Sequence, residues 1–294
     1  MLMNTIFNNN IVKKCCNFSQ LAHMIDNFLA GFVPGLSKYP RLRKLVLNGL
    51  NRVACAHQFS NLIDAVSDLQ GVQFIDGFLA ALGKQYVVHG ALDAIPTTGP
   101  LLIVANHPTG ILDGLILLSM VYRVRPDVKV IVNEVLVPML YPMENLMLPI
   151  NLYSSSPCRH QNLAFSRALT AGEALIIFPA ASISRLGRQG LADTDWKAGF
   201  CKFSSKFSAQ IVPVFIGARN SWLYYLIDSI SEYLSFMLLH REMFSRRLRK
   251  CNVFIGAVMA PCDPHASAER RRAEIDAVRQ VVYAKALRNV PSIV

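Results

Sequence analysis

The chain has 294 residues, enough to bury a large core in one domain or in one domain with a helical appendage. Hydrophobic residues make up 52% and charged residues only 17%, and the mean hydropathy of +0.32 is high for a freely soluble protein, so part of the apolar surface is expected to meet lipid or a partner. The net charge of +11 gathers at Arg41-Leu42-Arg43-Lys44, Arg246-Arg247-Leu248-Arg249-Lys250 and Arg270-Arg271-Arg272. No zinc-finger spacing, glycine-aromatic RNA motif or basic helix ahead of a heptad goes with it, which favours an anionic membrane surface over nucleic acid.

In chain order, residues 1–70 read as a helical and polar leader and 71–294 as the main domain. Within the leader, Leu21, Ile25, Phe28, Leu29 and Phe32 fall at helical spacing until Pro34-Gly35, which makes Phe18 to Leu36 a candidate membrane-associating helix; no signal-peptide cleavage pattern follows it. Strand-like runs then occupy Gln85 to His89, Leu101 to Ala105, Val128 to Val132, Ala174 to Phe178, Ile211 to Phe215 and Val253 to Val258, with helical patterns between most of them. That alternation predicts an α/β domain with a mostly parallel central sheet flanked by helices. Ser221 to Arg241 reads as one aromatic-rich helix with Asp228 and Glu232 on one side, either interfacial or packed across the core. Pro264 to Asn289 reads as a closing charged helix. With no uninterrupted run of 18 or more apolar residues, the chain is expected to lie on a bilayer rather than through it. The seven cysteines are odd in number and form no C-x-x-C pair, so neither a zinc site nor a disulfide framework is indicated. Cys15 and Cys16, beside Lys13 and Lys14, read as a plain reduced pair.

The most informative stretch is Leu101 to Gly114, LLIVANHPTGILDG. Gly99-Pro100 precedes an apolar run of buried-strand type, which leaves His107 just past a strand's carboxyl end. From Leu112 to Tyr122 the apolar residues recur at helical spacing, with Asp113 in the first turn. Residues six apart in an unbroken helix lie about 240° apart and cannot meet, so Pro108-Thr109-Gly110 must form a turn if His107 and Asp113 are to touch. Two readings stand on this spacing: Asp113 orients one imidazole nitrogen while the other faces a cleft, or Asp113 only caps its helix.

The NHPTGILDG stretch resembles the His and Asp block of the glycerolphosphate and lysophospholipid acyltransferases, and the five residues between the pair match the subgroup often labelled hemolysin-like. Three further blocks carry the resemblance in the same order. Asn133-Glu134-Val135-Leu136 to Pro149-Ile150-Asn151 is similar to the segment after the second core strand. Ala174 to Arg185, ALIIFPAASISR, is similar to the Phe-Pro-Glu-Gly-Thr-Arg block, with the family's Glu, Gly and first Arg replaced by Ala180, Ala181 and Ile183. The subgroup commonly has Phe-Pro-Ala-Gly-Glu there, so Ala180 fits it while Ala181 and Ser182 depart. Ile211-Val212-Pro213-Val214 resembles the strand with a Val-Pro-Val core, and Trp196-Lys197-Ala198-Gly199-Phe200 lies between the last two blocks.

The resemblance implies O-acyl transfer from an acyl-CoA or acyl-ACP thioester to a hydroxyl of a lysophospholipid, glycerol phosphate or lyso-ornithine lipid, with no metal and no cofactor beyond the co-substrate. His107 would be the general base and Asp113 its orienting carboxylate. Asn106, Thr109, Gly110, Phe178, Pro179, Ser182, Ser184, Arg185, Lys197 and Arg219 are the candidate substrate-binding residues, the three cations for an acceptor phosphate or carboxylate. The amides of Thr109 and Gly110 are the expected oxyanion donors. The expected partners are an anionic membrane surface, the lysolipid acceptor and acyl carrier protein, and the expected location is the cytoplasmic face of the membrane, peripheral or monotopic. The alternatives are a lipid-binding relative without catalysis and a lipid esterase or thioesterase; no G-x-S-x-G elbow supplies the latter's usual serine.

Overall fold

The structure, a computed structural model, describes residues 34–151, 159–187 and 190–289 together with Asp26. The candidate helix Phe18 to Leu36 lies outside the described residues over nearly all its length, as do Cys15, Cys16 and Cys158. Among the elements described in full, three helices lead in, α1 (Pro40–Val53), α2 (Ala56–Ala65) and α3 (Gly71–Ala81). The domain then runs β1 (Gln85–His89), β2 (Leu101–Ala105), α4 (Ile111–Tyr122), β3 (Lys129–Asn133), β4 (Met147–Ile150), α5 (Arg159–Thr170) and β5 (Ala174–Ile177). It continues through β6 (Arg185–Gly187), β7 (Gly190–Ala192), α6 (Gly199–Phe207), β8 (Gln210–Gly217), α7 (Trp222–Ile230), α8 (Glu232–Met243), β9 (Lys250–Ile255) and α9 (Ala268–Asn289).

Seven strands form one sheet in the order β1-β9-β8-β2-β5-β3-β4, and every neighbouring pair is parallel except β8 with β9. The period-2 alternation of a strand splits its side chains between two cores. In β2, Leu101, Ile103 and Ala105 enter one cluster with α2, α3 and α4, while Leu102 and Val104 enter the other with α6 and α9. All five are fully buried, which is why the run reads as continuously apolar. The described part of the 1–70 segment is helical; α1 buries no residue, whereas Ala56, Phe59, Leu62 and Ile63 of α2 join the main core.

Three differences from the sequence reading concern this scaffold. The helix expected from Ser221 to Arg241 is two helices, because Ser231 is extended (φ −157°, ψ 117°) and its hydroxyl accepts the Leu234 N–H, which starts α8 afresh. The strand expected over Val253 to Val258 is β9 at Lys250–Ile255; Gly256 ends it by donating its N–H to the Pro213 carbonyl at 2.8 Å, where a Cβ would meet Pro213 at 2.7 Å. The closing helix begins at Ala268 rather than Pro264, since the Ser267 hydroxyl caps it by accepting the Arg270 N–H at 3.2 Å. At the amino ends of β2 and β5, the fully buried Arg125 gathers the carbonyls of Pro96, Gly99 and Gly172 and pairs with Asp127, whose carboxyl it holds below the usual range.

Candidate functional site

The parallel strands β2, β5, β3 and β8 all end on one edge, where open α/β sheets place their ligands. A cavity of about 480 Å³, within the range of ligand pockets, opens there. Its inner wall is apolar, with Val130, Val132, Leu136, Leu140, Ile150, Phe165, Phe200 and Phe203; its polar end holds His107, Ser182, Arg185, Lys197, Asp228 and Glu232.

His107 follows β2 by two residues, and residues 108–110 make a bend before α4 begins. Gly110 carries the left-handed step of that bend (φ +82°), and a Cβ on it would meet Ile183 at 3.0 Å and Leu239 at 3.2 Å. Asp113, third residue of α4 and fully buried, reaches back over the bend. Its Oδ2 accepts the N–H of Thr109 (2.8 Å) and of Gly110 (2.9 Å), and its Oδ1 accepts the Thr109 hydroxyl. The same Oδ2 lies 3.0 Å from His107 Nδ1, a distance of ion-pair length whose angle falls short of a hydrogen bond. Asp113 thus both caps α4 and touches the imidazole, and the two readings of the spacing are compatible. The Thr109 and Gly110 amides are spent on Asp113, so the expectation that they face an oxyanion is corrected: the negative end of the carboxylate already occupies that direction.

The imidazole is stacked on Phe178, with ring centroids 4.1 Å apart and planes 23° apart, and its side chain is 21% exposed toward the cavity. Phe178 directly follows β5, the strand next to β2, so the sheet brings the two rings side by side. The loop after Phe178-Pro179 is tied back to the histidine loop: the Ser184 N–H donates to the His107 carbonyl at 2.8 Å, and the Lys197 N–H donates to the Pro179 carbonyl at 3.0 Å.

The other expected site residues divide by what their side chains do. Gly110, Phe178, Pro179, Ser182, Arg185 and Lys197 line the cavity. Asn106 does not; it is buried and pairs with the backbone of Ile216 through both its oxygen (2.7 Å) and its amide (3.1 Å), which locks β2 to β8. Thr109 is committed to Asp113, Ser184 is buried against Asp193, and Arg219 stands outside the cavity wall. Arg185 is not a free cation. Its Nη2 lies 3.0 Å from Glu232 Oε2 and its Nε 3.7 Å from Asp228 Oδ2.

Asp193 escaped the sequence reading. It is 5% exposed, and its Oδ1 accepts both the His107 N–H (3.1 Å) and the Ser184 hydroxyl, while Oδ2 accepts the Trp196 indole N–H at 2.9 Å. Its own N–H donates to the Tyr283 hydroxyl and its carbonyl accepts from Arg279, both on α9. The available signal was Trp196 three residues on, an indole that needs a buried acceptor. Glu242 plays a similar part for the next loop, accepting the Ser221 N–H and hydroxyl, both at 2.7 Å. Among the described residues, Cys201, Cys262 and Glu274 bring ligand atoms within 4.8 Å of one another, but Glu274 already accepts the Asp263 N–H at 2.8 Å and lies 3.4 Å from Arg271, whose charge opposes a metal cation.

A parallel α/β sheet with a histidine and a buried carboxylate at its carboxyl edge, beside an apolar cavity, is the arrangement of a lipid-handling transferase. The acyltransferase family model matches residues 28–290, and the chain belongs to that family of enzymes. It is 28% identical over 243 residues to a lyso-glycine lipid O-acyltransferase of Bacteroides thetaiotaomicron, covering 79% of this chain and 86% of the relative. It is 27% identical over 232 residues to a protein of the same description from Phocaeicola vulgatus, covering 74% and 80%. The fold is similar to the crystal structure of the 1-acyl-sn-glycerophosphate acyltransferase of Thermotoga maritima, with a TM-score of 0.50, 17% identity, and 94% and 96% of the two chains covered.

Proposed function

We propose that this acyltransferase moves a fatty acyl group from an acyl-CoA or acyl-ACP thioester to a hydroxyl of a lysolipid, with His107 as general base and Asp113 as the carboxylate that orients it. The observation that carries the reading is the 3.0 Å approach of the buried Asp113 to Nδ1 of a half-buried imidazole whose other edge is open to an apolar cavity. A thioester is already activated, so the enzyme's work is to take the acceptor proton as oxygen attacks the carbonyl carbon; the C–S bond then breaks and the thiolate leaves, protonated by the imidazolium. Asp113 holds the tautomer with the proton on Nδ1 and stabilises the imidazolium, and contacts of this kind tighten in the substrate complex. The acyl chain would lie along the apolar wall between Leu136 and Phe203. The lyso-glycine lipid acceptor named for the two bacterial relatives supports a lysolipid acceptor here.

The surface supports work at a membrane. Trp222, Leu226 and Ile230 of α7, at i, i+4 and i+8, are 67%, 60% and 75% exposed, while Tyr224 and Asp228 of the same helix line the cavity. On α1, Leu42 and Leu45 are exposed beside Arg41 and Lys44. Among the described residues no helix is long and apolar enough to cross a membrane. We therefore place the protein peripherally, at the cytoplasmic face, on anionic lipid. The test is transfer of radiolabelled acyl groups from both donors to lysolipids. His107→Ala should lose about 10² to 10⁴ in rate with the fold intact. Release of free fatty acid in place of acylated product would overturn transfer in favour of hydrolysis, and unaltered transfer by His107→Ala would overturn its role.

A further inference from the structure

Resting on the acyl-transfer reading, we propose that Asp228 and Glu232, with Arg185, form the acceptor head-group subsite, and that it selects a head group bearing a primary ammonium. All three line the cavity that holds His107, together with Tyr224 and Ser235. They come from three elements: Arg185 opens β6, Asp228 is on α7 and Glu232 begins α8. Two carboxylates face one guanidinium, a formal charge of −1, and Lys197 on the exposed rim of the same cavity brings the four groups to zero. Sites for phosphate collect surplus cations, often with bidentate arginine. Here the arginine is engaged by acids on its own side, and Ile183 stands where the acyltransferase family carries another arginine.

The carboxylates also retain unused acceptor capacity. Asp228 Oδ1 accepts the Ser235 hydroxyl at 2.8 Å, but Oδ2 faces Arg185 at 3.7 Å, beyond hydrogen-bond reach. Its side chain is 11% exposed, so an ammonium placed against it would be largely removed from water and strongly held. Glu232 is 64% exposed and forms the outer lip. A phosphomonoester or a lone carboxylate entering this space meets two like charges, whereas a zwitterionic head group puts its ammonium on Asp228 and Glu232 and its anion on Arg185 and Lys197. Selection against the wrong head group thus comes from repulsion as much as from attraction to the right one.

An ammonium can come from an amino-acid lysolipid or from an ethanolamine lysophospholipid, and the assay separates them. Purified full-length enzyme is given acyl donor and four lysolipids in parallel: with an ornithine head group, an ethanolamine phosphate head group, a glycine head group, and lysophosphatidic acid. The ammonium-bearing pair should exceed the other two by about tenfold or more in kcat/KM, and the faster of the pair names the source. In the Asp228→Asn/Glu232→Gln double variant the order should reverse, the ammonium-bearing acceptors losing about tenfold and the purely anionic ones gaining. A wild-type preference for glycine or phosphate, or an equal loss with all four acceptors in the double variant, overturns the proposal. Glu232→Gln alone, on an exposed side chain, gives the same readout if the double variant does not fold. If no acceptor is acylated, the acyl-transfer reading falls by itself, and binding of the same four lysolipids in micelles to wild type and variant still decides the head-group preference.

Discussion

Replacing Asp193 separates the scaffold of the site from its chemistry. Its carboxylate is buried and receives three donors, and among the described residues no cationic side chain bonds it, so it acts through hydrogen bonds. Asp193→Ala strands the His107 N–H, the Ser184 hydroxyl and the Trp196 indole; at about 1–3 kcal/mol for each buried unpaired donor, the loss is at least about 3 kcal/mol. Asp193→Asn keeps one oxygen. With that oxygen on the Oδ1 side, His107 and Ser184 stay bonded and only the indole faces an amide NH₂, a cost of about 1–3 kcal/mol, or roughly 2–5 °C in Tm for a chain of this size. The loop from Asp193 to Trp196, which anchors the His107 N–H, then loses its own tie to the indole and can shift, and misplacement of a reacting group by about 1 Å costs up to about 10²-fold. The expected result is an Asn variant that is folded, several degrees less stable, and reduced about tenfold or more in kcat with KM within about twofold. Calorimetry and steady-state kinetics measure both. Wild-type Tm and kcat in Asp193→Asn would refute the argument, as would a loss confined to KM.

His240 is fully buried on α8 against the Phe59 ring, centroids 4.8 Å apart, and burial pulls its imidazole from 6.5 down to about 4. The unfolded chain takes up the proton first, so this contribution is whole above pH 6.5 and is lost as pH falls toward 4, about 3 kcal/mol in all; His240→Phe should flatten the fall in denaturant stability between pH 7 and 4.5 relative to wild type. Ala181 sits at φ +55°, and Ala181→Gly should raise stability by about 0.5–1 kcal/mol, read as a rise in denaturation midpoint at constant m-value. Exchanging Trp222, Leu226 and Ile230 for serine should abolish co-sedimentation with anionic vesicles while leaving Tm unchanged, because all three are exposed; retained binding would move the membrane contact elsewhere.

The parts of the fold visible in the sequence are those where one physical signal dominates. β1 and β2 fall at the predicted residues because their apolar runs are bounded by turn formers. β4 escaped because Pro149 interrupts it, which an edge strand tolerates and a central one does not. The β6 and β7 hairpin escaped because strands of three residues, mostly open to solvent, carry no periodic signal. The break at Ser231 was hidden because apolar spacing runs through it, and only the extended backbone reveals the cap. Around the cavity, His107 and Asp113 were singled out by their spacing and given their roles by the family resemblance, and Phe178 by its place after β5. Asp193 was not: an aspartate in a short polar loop reads as solvated until Trp196 and α9 close over it.

The altered third block shows which of its features the site requires. Ala181 adopts the left-handed backbone where the subgroup commonly has glycine, at a cost of about 1–2 kcal/mol, so the path of the loop is kept although its best residue is gone. Ser182, where the subgroup has glutamate, bonds the Thr194 hydroxyl at 2.9 Å and removes a carboxylate from the cavity wall. The contacts that reach His107 come instead from positions on either side: the Phe178 ring before the change, and the Ser184 N–H with Asp193 after it. The Phe178 ring and the backbone of the block therefore hold the histidine in place. With serine at 182, the acidic charge of the cavity wall stands on Asp228 and Glu232 of α7 and α8. Restoring Ser182→Glu on top of Asp228→Asn should then recover part of the preference for ammonium-bearing acceptors in the four-lysolipid comparison; a double variant no more selective than Asp228→Asn alone would show that the position of the charge, and not its presence, decides the choice.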